Sequence, residues 1–298
     1  MADSFEDHEI VGDFTQKKGH AFASTQLWPT TAIQSAAMPE LYDPMPSSPR
    51  INVLYLAPGQ IVISPQQLEE SNPENIAIGG GSRLARKSPT MCVKYGTHAS
   101  LIKAKNMLYV TENTSIPVPK LFAAYAYGPI DREVGDFGSV YNTHIFMEHM
   151  EGEDLRISWE KHTTSEKQTT ITDLKSYVEE LRALQAPGYI GPAGPFKSQA
   201  ELNTTIANAY IAKSKGQAGP YIRGMLDAHK HGIVFTHGDL RPDNIIVKDG
   251  RITGIIDWEM SGWYPDYWEF AKAFYVEHFA NDWKSSVGVS KCVSSYSN

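Results

Sequence analysis

The sequence predicts an α+β chain in two parts: a small antiparallel sheet with one main helix, followed by a mostly helical half. Three observations carry this. Residues 51–148 are assembled from short apolar or β-branched runs bounded by Pro, Gly or Asn, among them INVLYLAPGQIVIS, NIAIGGGSRLARK and PTMCVKYG. After Gly152 the apolar residues recur at helical spacing, most clearly in ITDLKSYVEELRALQ. Within that helical half one stretch reverts to strands. NIIVKDGRITGIID is two β-branched runs joined through Asp249-Gly250, a dipeptide suited to a tight hairpin turn.

Element by element, residues 1–50 are mixed and punctuated by prolines, and read as a poorly ordered or loosely packed arm with one short helix. The strand-like runs from Ile51 give an antiparallel sheet with hairpins. HASLIKAKNMLYVTENT places Leu101, Ala104, Met107 and Leu108 at helical spacing, which predicts the main helix of this part. SIPVPK is expected to be extended, because each proline restricts the residue before it. LFAAYAYG and YNTHIFMEHM supply two more strands and close a first domain over 51–148. In the second, 149–298, residues Ile171, Leu174, Val178, Leu181 and Leu184 form one helical stripe. APGYIGPAGP (186–195) is a turn-rich loop, and TTIANAYIAKS and PYIRGMLDAHKHG are further helices. The aromatics of GWYPDYWEFAKAFY (262–275) are expected to pack a helix into the core.

The bulk properties exclude several classes. With 27 basic and 34 acidic side chains the net charge is −7, and no Lys/Arg block stands out. A nucleic-acid partner is therefore not expected, whereas a neutral or cationic small substrate is compatible. Cys92 and Cys292 have no CxxC partner, so neither a zinc site nor a disulfide framework is predicted. The first 20 residues lack an apolar core, and LFAAYAYGPI is far too short to span a bilayer. A cytoplasmic protein without membrane association is the expectation. No GxSxG occurs, so Ser/His/Asp hydrolysis has no support.

The chemistry concentrates in FTHGDLRPDNIIVKDGRITGIIDWE (235–259). Asp239, Asn244 and Asp257 are hard oxygen donors, the type that Mg²⁺ prefers when it shares its shell with phosphates and water. The hairpin returns Asp257 towards Asn244, and an Asp five residues before the Asn can face the same space. One carboxylate could accept a proton from an attacking hydroxyl while the other two groups hold metal, and Arg241 would add positive charge for a phosphoryl group.

His-Gly-Asp-x-x-x-x-Asn followed by Ile-Ile-Asp resembles the catalytic loop and metal-binding aspartate of the kinase-like fold. The closest resemblance is to the aminoglycoside phosphotransferase/choline kinase group, and within it to the large aminoglycoside phosphotransferase-like set found in fungi. It covers about Ile78 to Phe274 and implies a two-lobed protein-kinase-like fold. It further implies Asp239 as catalytic base, Asn244 and Asp257 as Mg²⁺ ligands, and Arg241 in the place of a lysine that meets the γ-phosphate. Lys94, on a strand just before a helix, matches the lysine that grips the α- and β-phosphates of ATP. The turn Gly79-Gly80-Gly81-Ser82 would cover the phosphates, since glycines let backbone N–H groups approach an anion. IFMEHMEGEDL resembles the hinge, where the backbone of Glu148, His149 and Met150 would hydrogen-bond the adenine. The implied reaction is transfer of the γ-phosphoryl group of ATP to a hydroxyl of a small molecule. Neither an Asp-Phe-Gly nor an Ala-Pro-Glu segment follows, so a protein kinase is not expected.

Two departures qualify the resemblance. The helix after Lys94 normally presents a Glu that pairs with the lysine, and here that position is Lys103. A second cation cannot orient Lys94, so either another carboxylate takes over or the grip on phosphate is impaired, leaving a weakened enzyme or a nucleotide-binding protein without activity. Only 41 residues follow Asp257 (298 − 257), and VGVSKCVSSYSN has no apolar period, so the wall of the acceptor site is expected to be incomplete. Of the clustered His229, His231 and His237, the first two are expected at a helix end, and His237 is expected to brace the catalytic loop. Glu151, Glu153 and Asp154 read as a solvated acidic turn.

Overall fold

In the computed structural model, residues 48–131, 138–192, 194–213 and 219–275 are described. The arm expected over 1–50 lies outside them up to position 47, as does the tail VGVSKCVSSYSN; Arg50, counted with the arm, opens the first strand instead. The first half runs β1 (Arg50–Leu56), α1 (Pro65–Glu70), β2 (Glu74–Gly79), β3 (Ser82–Ser88), β4 (Met91–Gly96), α2 (Leu101–Asn113), β5 (Leu121–Gly128) and β6 (Asn142–Glu148). The second half continues with β7 (Glu153–Asp154), α3 (Leu155–Ser158), α4 (Thr164–Ala183), α5 (Gln199–Lys213), α6 (Gly219–Asp227) and β8 (Ile233–Thr236). It closes with β9 (Ile245–Lys248), β10 (Arg251–Ile255), β11 (Gly262–Pro265) and α7 (Trp268–Tyr275).

Six strands form one antiparallel sheet in the order β1-β5-β6-β4-β3-β2. Alternation along each strand sends neighbouring residues to opposite faces. On one face Cys92, Ala124, Ala126, Ile145 and Met147 join Ala104, Met107 and Val110 of α2 in the principal core. That core continues into the second half through Trp159, Leu174, Leu181, Phe235, Ile255 and Trp258. On the other face Val93, Ala123, Tyr125 and Phe146 pack beneath Leu68 of α1. Lys94, two residues beyond Cys92, consequently faces α2 and the second half rather than solvent beyond α1.

Part of INVLYLAPGQIVIS departs from its strand-like appearance, because only β1 pairs and the run ends in α1. The local chemistry explains this. Ser64 caps the helix, Gln67 returns a side-chain bond to the Ser64 N–H at 2.9 Å, and Pro65 occupies the first turn, where no N–H partner is needed. The stripe of α4 buries Leu174, Val178 and Leu181 and packs Ile171 and Leu184 against the core, as its spacing requires. SIPVPK forms neither helix nor strand and meets the end of β10, where the Pro117 carbonyl accepts the Ile255 N–H at 2.8 Å.

On the α1 face, His144 of β6 is 2% exposed and stacks between Tyr95 and Tyr125, with ring centroids 5.5 and 4.8 Å away. Burial holds its pKa down at about 4, against an ordinary 6.5. The unfolded chain therefore takes up this proton first as pH falls. The stability the neutral ring confers is full above pH 6.5 and is lost progressively towards pH 4. Over that window His144 is expected to account for about 3 kcal/mol of lost stability. Urea denaturation at a series of pH values should show a shallower acid decline for His144→Phe, which keeps the stack and removes the titrating group.

Candidate active site

Two antiparallel ladders position the loop. β8 pairs with β11, setting Thr236 opposite Gly262, and β9 pairs with β10, setting Ile245 opposite Ile255. The segments 237–244 and 256–261 are thus pinned to each other at both ends. Ile256 N–H donates to the Asn244 carbonyl at 2.9 Å, and Ser261 Oγ donates to the His237 carbonyl at 2.9 Å. His237 braces the middle: its Nδ1 accepts the Asp239 N–H at 3.2 Å and its Nε2 donates to the Ile256 carbonyl at 2.9 Å. Those partners fix the neutral tautomer, and burial keeps its pKa below the ordinary histidine value. Gly238 has φ +76°, and a Cβ there would overlap the Met260 carbonyl oxygen, so the turn requires glycine.

The three oxygen-bearing side chains come together on this frame. Asn244 Nδ2 donates to the Asp239 carbonyl at 2.8 Å and to Asp239 Oδ2 at 2.9 Å, so its Oδ1 is turned away from that carboxylate and accepts no hydrogen bond from the described residues. Asp257 adopts a left-handed conformation (φ 69°, ψ 51°) directly after the Ile256–Asn244 link. Its Oδ1 takes two ammonium groups, and its Oδ2 accepts nothing from the described residues. A carboxylate oxygen and an amide oxygen thus remain available, a donor set that fits a small hard cation. Burial raises the pKa of Asp239, against the opposing pull of Arg241 and Lys272.

Lys94 Nζ lies 2.5 Å from Glu259 Oε2 and 3.2 Å from Asp257 Oδ1. Burial would lower its pKa, but the two carboxylates outweigh that and hold it above the ordinary lysine range. Glu259, two residues after Asp257, therefore fills the role expected of a helix glutamate. Lys103 is 5% exposed, and its Nζ sits 2.8 Å from Asp257 Oδ1. Burial alone would raise the Asp257 pKa; Lys103 and then Lys94 reverse that and hold the carboxyl below its ordinary range. A carboxylate other than the expected helix glutamate thus stands on Lys94, as the first of the two outcomes expected at Lys103 requires.

A family model described as the phosphotransferase enzyme family matches residues 76–288, more than two thirds of the sequence. The chain belongs to this family. Among solved structures, a thermostable mutant of aminoglycoside phosphotransferase APH(4)-Ia in a ternary complex with ADP and hygromycin B is similar. It has a TM-score of 0.50 and 14% identity, covering 69% of this chain and 73% of that one. The streptomycin–ATP–APH(2")-IIa ternary complex has a TM-score of 0.48 and 14% identity, covering 70% and 74%. No curated protein sequence matches. The α+β, kinase-like fold expected from the loop is the fold of this chain.

The remaining expected site residues divide. Gly79 to Ser82 form the tight β2–β3 turn, with Gly80 and Gly81 at φ 55° and 73°. Ser82 lies opposite Gly96, which places the turn beside the end of the Lys94 strand. At the expected hinge, the N–H groups of Glu148 and His149 are engaged by the carbonyls of Lys120 and Thr90 at 2.9 and 3.0 Å. Their side chains bond the Lys120 N–H and Arg86. Only Met150 keeps an N–H that makes no hydrogen bond to the described residues, so the expectation for this segment narrows to that donor and the local carbonyls. The Arg241 Nε lies 3.7 Å from Asp239 Oδ2 and 3.6 Å from Asp243 Oδ2, and Asp243 also meets Arg156 at 2.5 Å. Glu151 and Glu153 pair with Lys248 and Lys161, and Asp154 caps α3. His231 pairs with Asp266 at 2.8 Å.

Three positioning residues escaped the sequence reading. Glu259 was in view within IIDWE but carries no sign of its partner. Asn106 of α2 donates to the carbonyls of Trp258 and Ser261, both at 2.9 Å, and ties that helix to the segment carrying Asp257. Glu269 of α7, 2% exposed, accepts the N–H groups of Gly238 at 3.1 Å and Leu240 at 3.3 Å. Glu269→Ala would leave two buried donors without an acceptor and is expected to cost about 2–4 kcal/mol. Glu269→Gln, which retains an acceptor oxygen, is expected to cost about half of that; chemical denaturation of both variants checks the order.

Proposed function

We propose that the chain transfers the γ-phosphoryl group of ATP to a hydroxyl of a small molecule. The observation that carries this is the meeting of Asp239, Asn244 and Asp257 at one place, beneath a strand lysine held by two carboxylates. Family membership and the complexes of APH(4)-Ia with ADP and hygromycin B support it. In this reading 51–148 is the nucleotide-binding lobe and 149–298 the catalytic and acceptor-binding lobe.

Asp239 accepts the proton of the acceptor hydroxyl as its oxygen bonds to the γ-phosphorus and the bond from that phosphorus to the β–γ bridging oxygen breaks, releasing ADP. Burial, by raising the pKa of this carboxylate, makes it a better base than an exposed aspartate. Lys94 holds the α- and β-phosphates, the Gly79–Ser82 turn covers them with backbone N–H groups, and Arg241 places positive charge beside the group in transfer. Met150 N–H is the hinge donor for the adenine. Asn244 and Asp257 are the residues to hold Mg²⁺, which when bound neutralises charge on the phosphate oxygens. Because such catalysis is mostly positioning and charge neutralisation, the chain's own contribution is the rigid frame around His237 and Glu269.

A net charge of −7 is compatible with a cationic acceptor of the aminoglycoside type, and choline-like amines or sugars suit the same machinery. Asp239→Asn is expected to lower turnover about 10²–10⁴-fold while changing nucleotide affinity little. Incubation of γ-labelled ATP with a metabolite extract and with aminoglycosides checks it; the labelled product should form with the parent and not with Asp239→Asn, and equal loss of nucleotide binding in that variant would contradict the assignment. A second reading, nucleotide binding without transfer, is favoured by Lys103 standing on an Asp257 oxygen. Calorimetric binding of Mg-ATP in the absence of any labelled product would decide for it.

A further inference from the structure

Lys94 and three charged groups linked to it form one set. Lys94 and Lys103 both contact Asp257 Oδ1, and Lys94 also contacts Glu259. Two ammonium groups face two carboxylates, so the cluster is neutral as it stands, and without Lys103 it would carry one net negative charge. The Lys103 ammonium has three N–H donors and one described acceptor, Asp257. Its other two donors meet no acceptor among the described residues, on a buried cation beside the position assigned to a divalent ion.

Lys103 is also held in place. Ser100 caps α2 through the Ile102 N–H at 3.2 Å, and Asn106, one turn on from Lys103, is tied at 2.9 Å to the carbonyls of Trp258 and Ser261 on either side of Glu259. A fixed cation at 2.8 Å from Asp257 satisfies part of the demand of that carboxylate for positive charge. It repels a second cation brought to the same carboxylate and attracts phosphate oxygens brought to the same pocket.

We propose that Lys103 is a built-in counter-cation of the nucleotide site, supplying positive charge that a divalent ion would otherwise bring, so that nucleotide phosphates are held with little dependence on metal. The inference rests on the nucleotide-binding reading above and adds to it the charge economy of this chain's own site.

Titration calorimetry of the full chain with ADP, in excess magnesium and in chelator, tests it. The parent should lose less than about threefold in affinity on chelation, whereas Lys103→Met should lose about tenfold or more and recover when magnesium is restored. Lys103→Arg, which keeps the charge, should behave like the parent, and it remains informative if the methionine variant folds poorly by circular dichroism. Manganese titration without nucleotide, followed by paramagnetic resonance, should show about tenfold tighter metal binding in Lys103→Met than in the parent. A parent that loses as much ADP affinity on chelation as Lys103→Met overturns the inference and leaves the nucleotide reading intact. A parent that binds ADP in neither buffer overturns the nucleotide reading, and the inference with it.

Discussion

The pinning of one short segment against another by two antiparallel ladders is the constraint on which the site depends. β8 with β11 and β9 with β10 close the ends of a pair of irregular segments that would otherwise have many conformations. Buried polar groups inside that frame need internal partners, and His237, Ser261, Asn244 and Glu269 supply most of them, with Arg241 Nε left at ion-pair distance only. The frame is therefore rigid for a structural reason before any chemistry is considered. Chemistry inherits the rigidity: the carboxylate of Asp239 has its orientation set by Asn244 on one side and by a backbone bonded to His237 on the other.

Electrostatics explains why buried charge is tolerated at the junction of the two halves. A lone ammonium or carboxylate in such surroundings carries a desolvation cost of several kcal/mol, and only close pairing offsets it. Lys94, Lys103, Asp257 and Glu259 pair so that no member is left alone. The same set joins the six-stranded sheet, through Lys94, and α2, through Lys103, to the segment after β10. Asn106 adds two hydrogen bonds to that joint. Packing continues across it, since the core on the inner face of the sheet runs without a break from Ile145 to Trp258 and Leu174. Moving α2 relative to the loop would disturb the charge set and the core together, which couples the geometry around Lys94 and Asp257 to the position of one helix.

The surroundings of the expected hinge follow from the same accounting of backbone groups. β6 ends at Glu148, and its last N–H groups are already taken by the chain segments next to it. Burial pushes the Cys92 thiol up to about 11, so this neighbour is a protonated, weak donor to the Glu148 carbonyl at 3.6 Å. Among the described residues nothing bonds the Met150 N–H, and its side chain lies against Gly254, where a Cβ would overlap it. A glycine in β10 thus makes room for the Met150 side chain, a contact between residues about a hundred positions apart.

By itself the sequence determined whatever depends on local periodicity and spacing. The short bounded run of β4, the stripe of α4, the Asp249-Gly250 hairpin and the Asp239–Asn244–Asp257 spacing were legible because neighbours along the chain enforce them. The capping box at Ser64 is equally local, but the apolar run before it hid it. Charge partners were decided only by the tertiary structure. Nothing near Lys94 in sequence announces Glu259, and nothing near Gly238 announces Glu269, because these contacts cross 165 and 31 positions and exist only once the sheet, α2 and α7 have closed around the loop. Lys103 is the sharpest instance: read along the chain it is a cation set against another cation, and in three dimensions a carboxylate stands between the two.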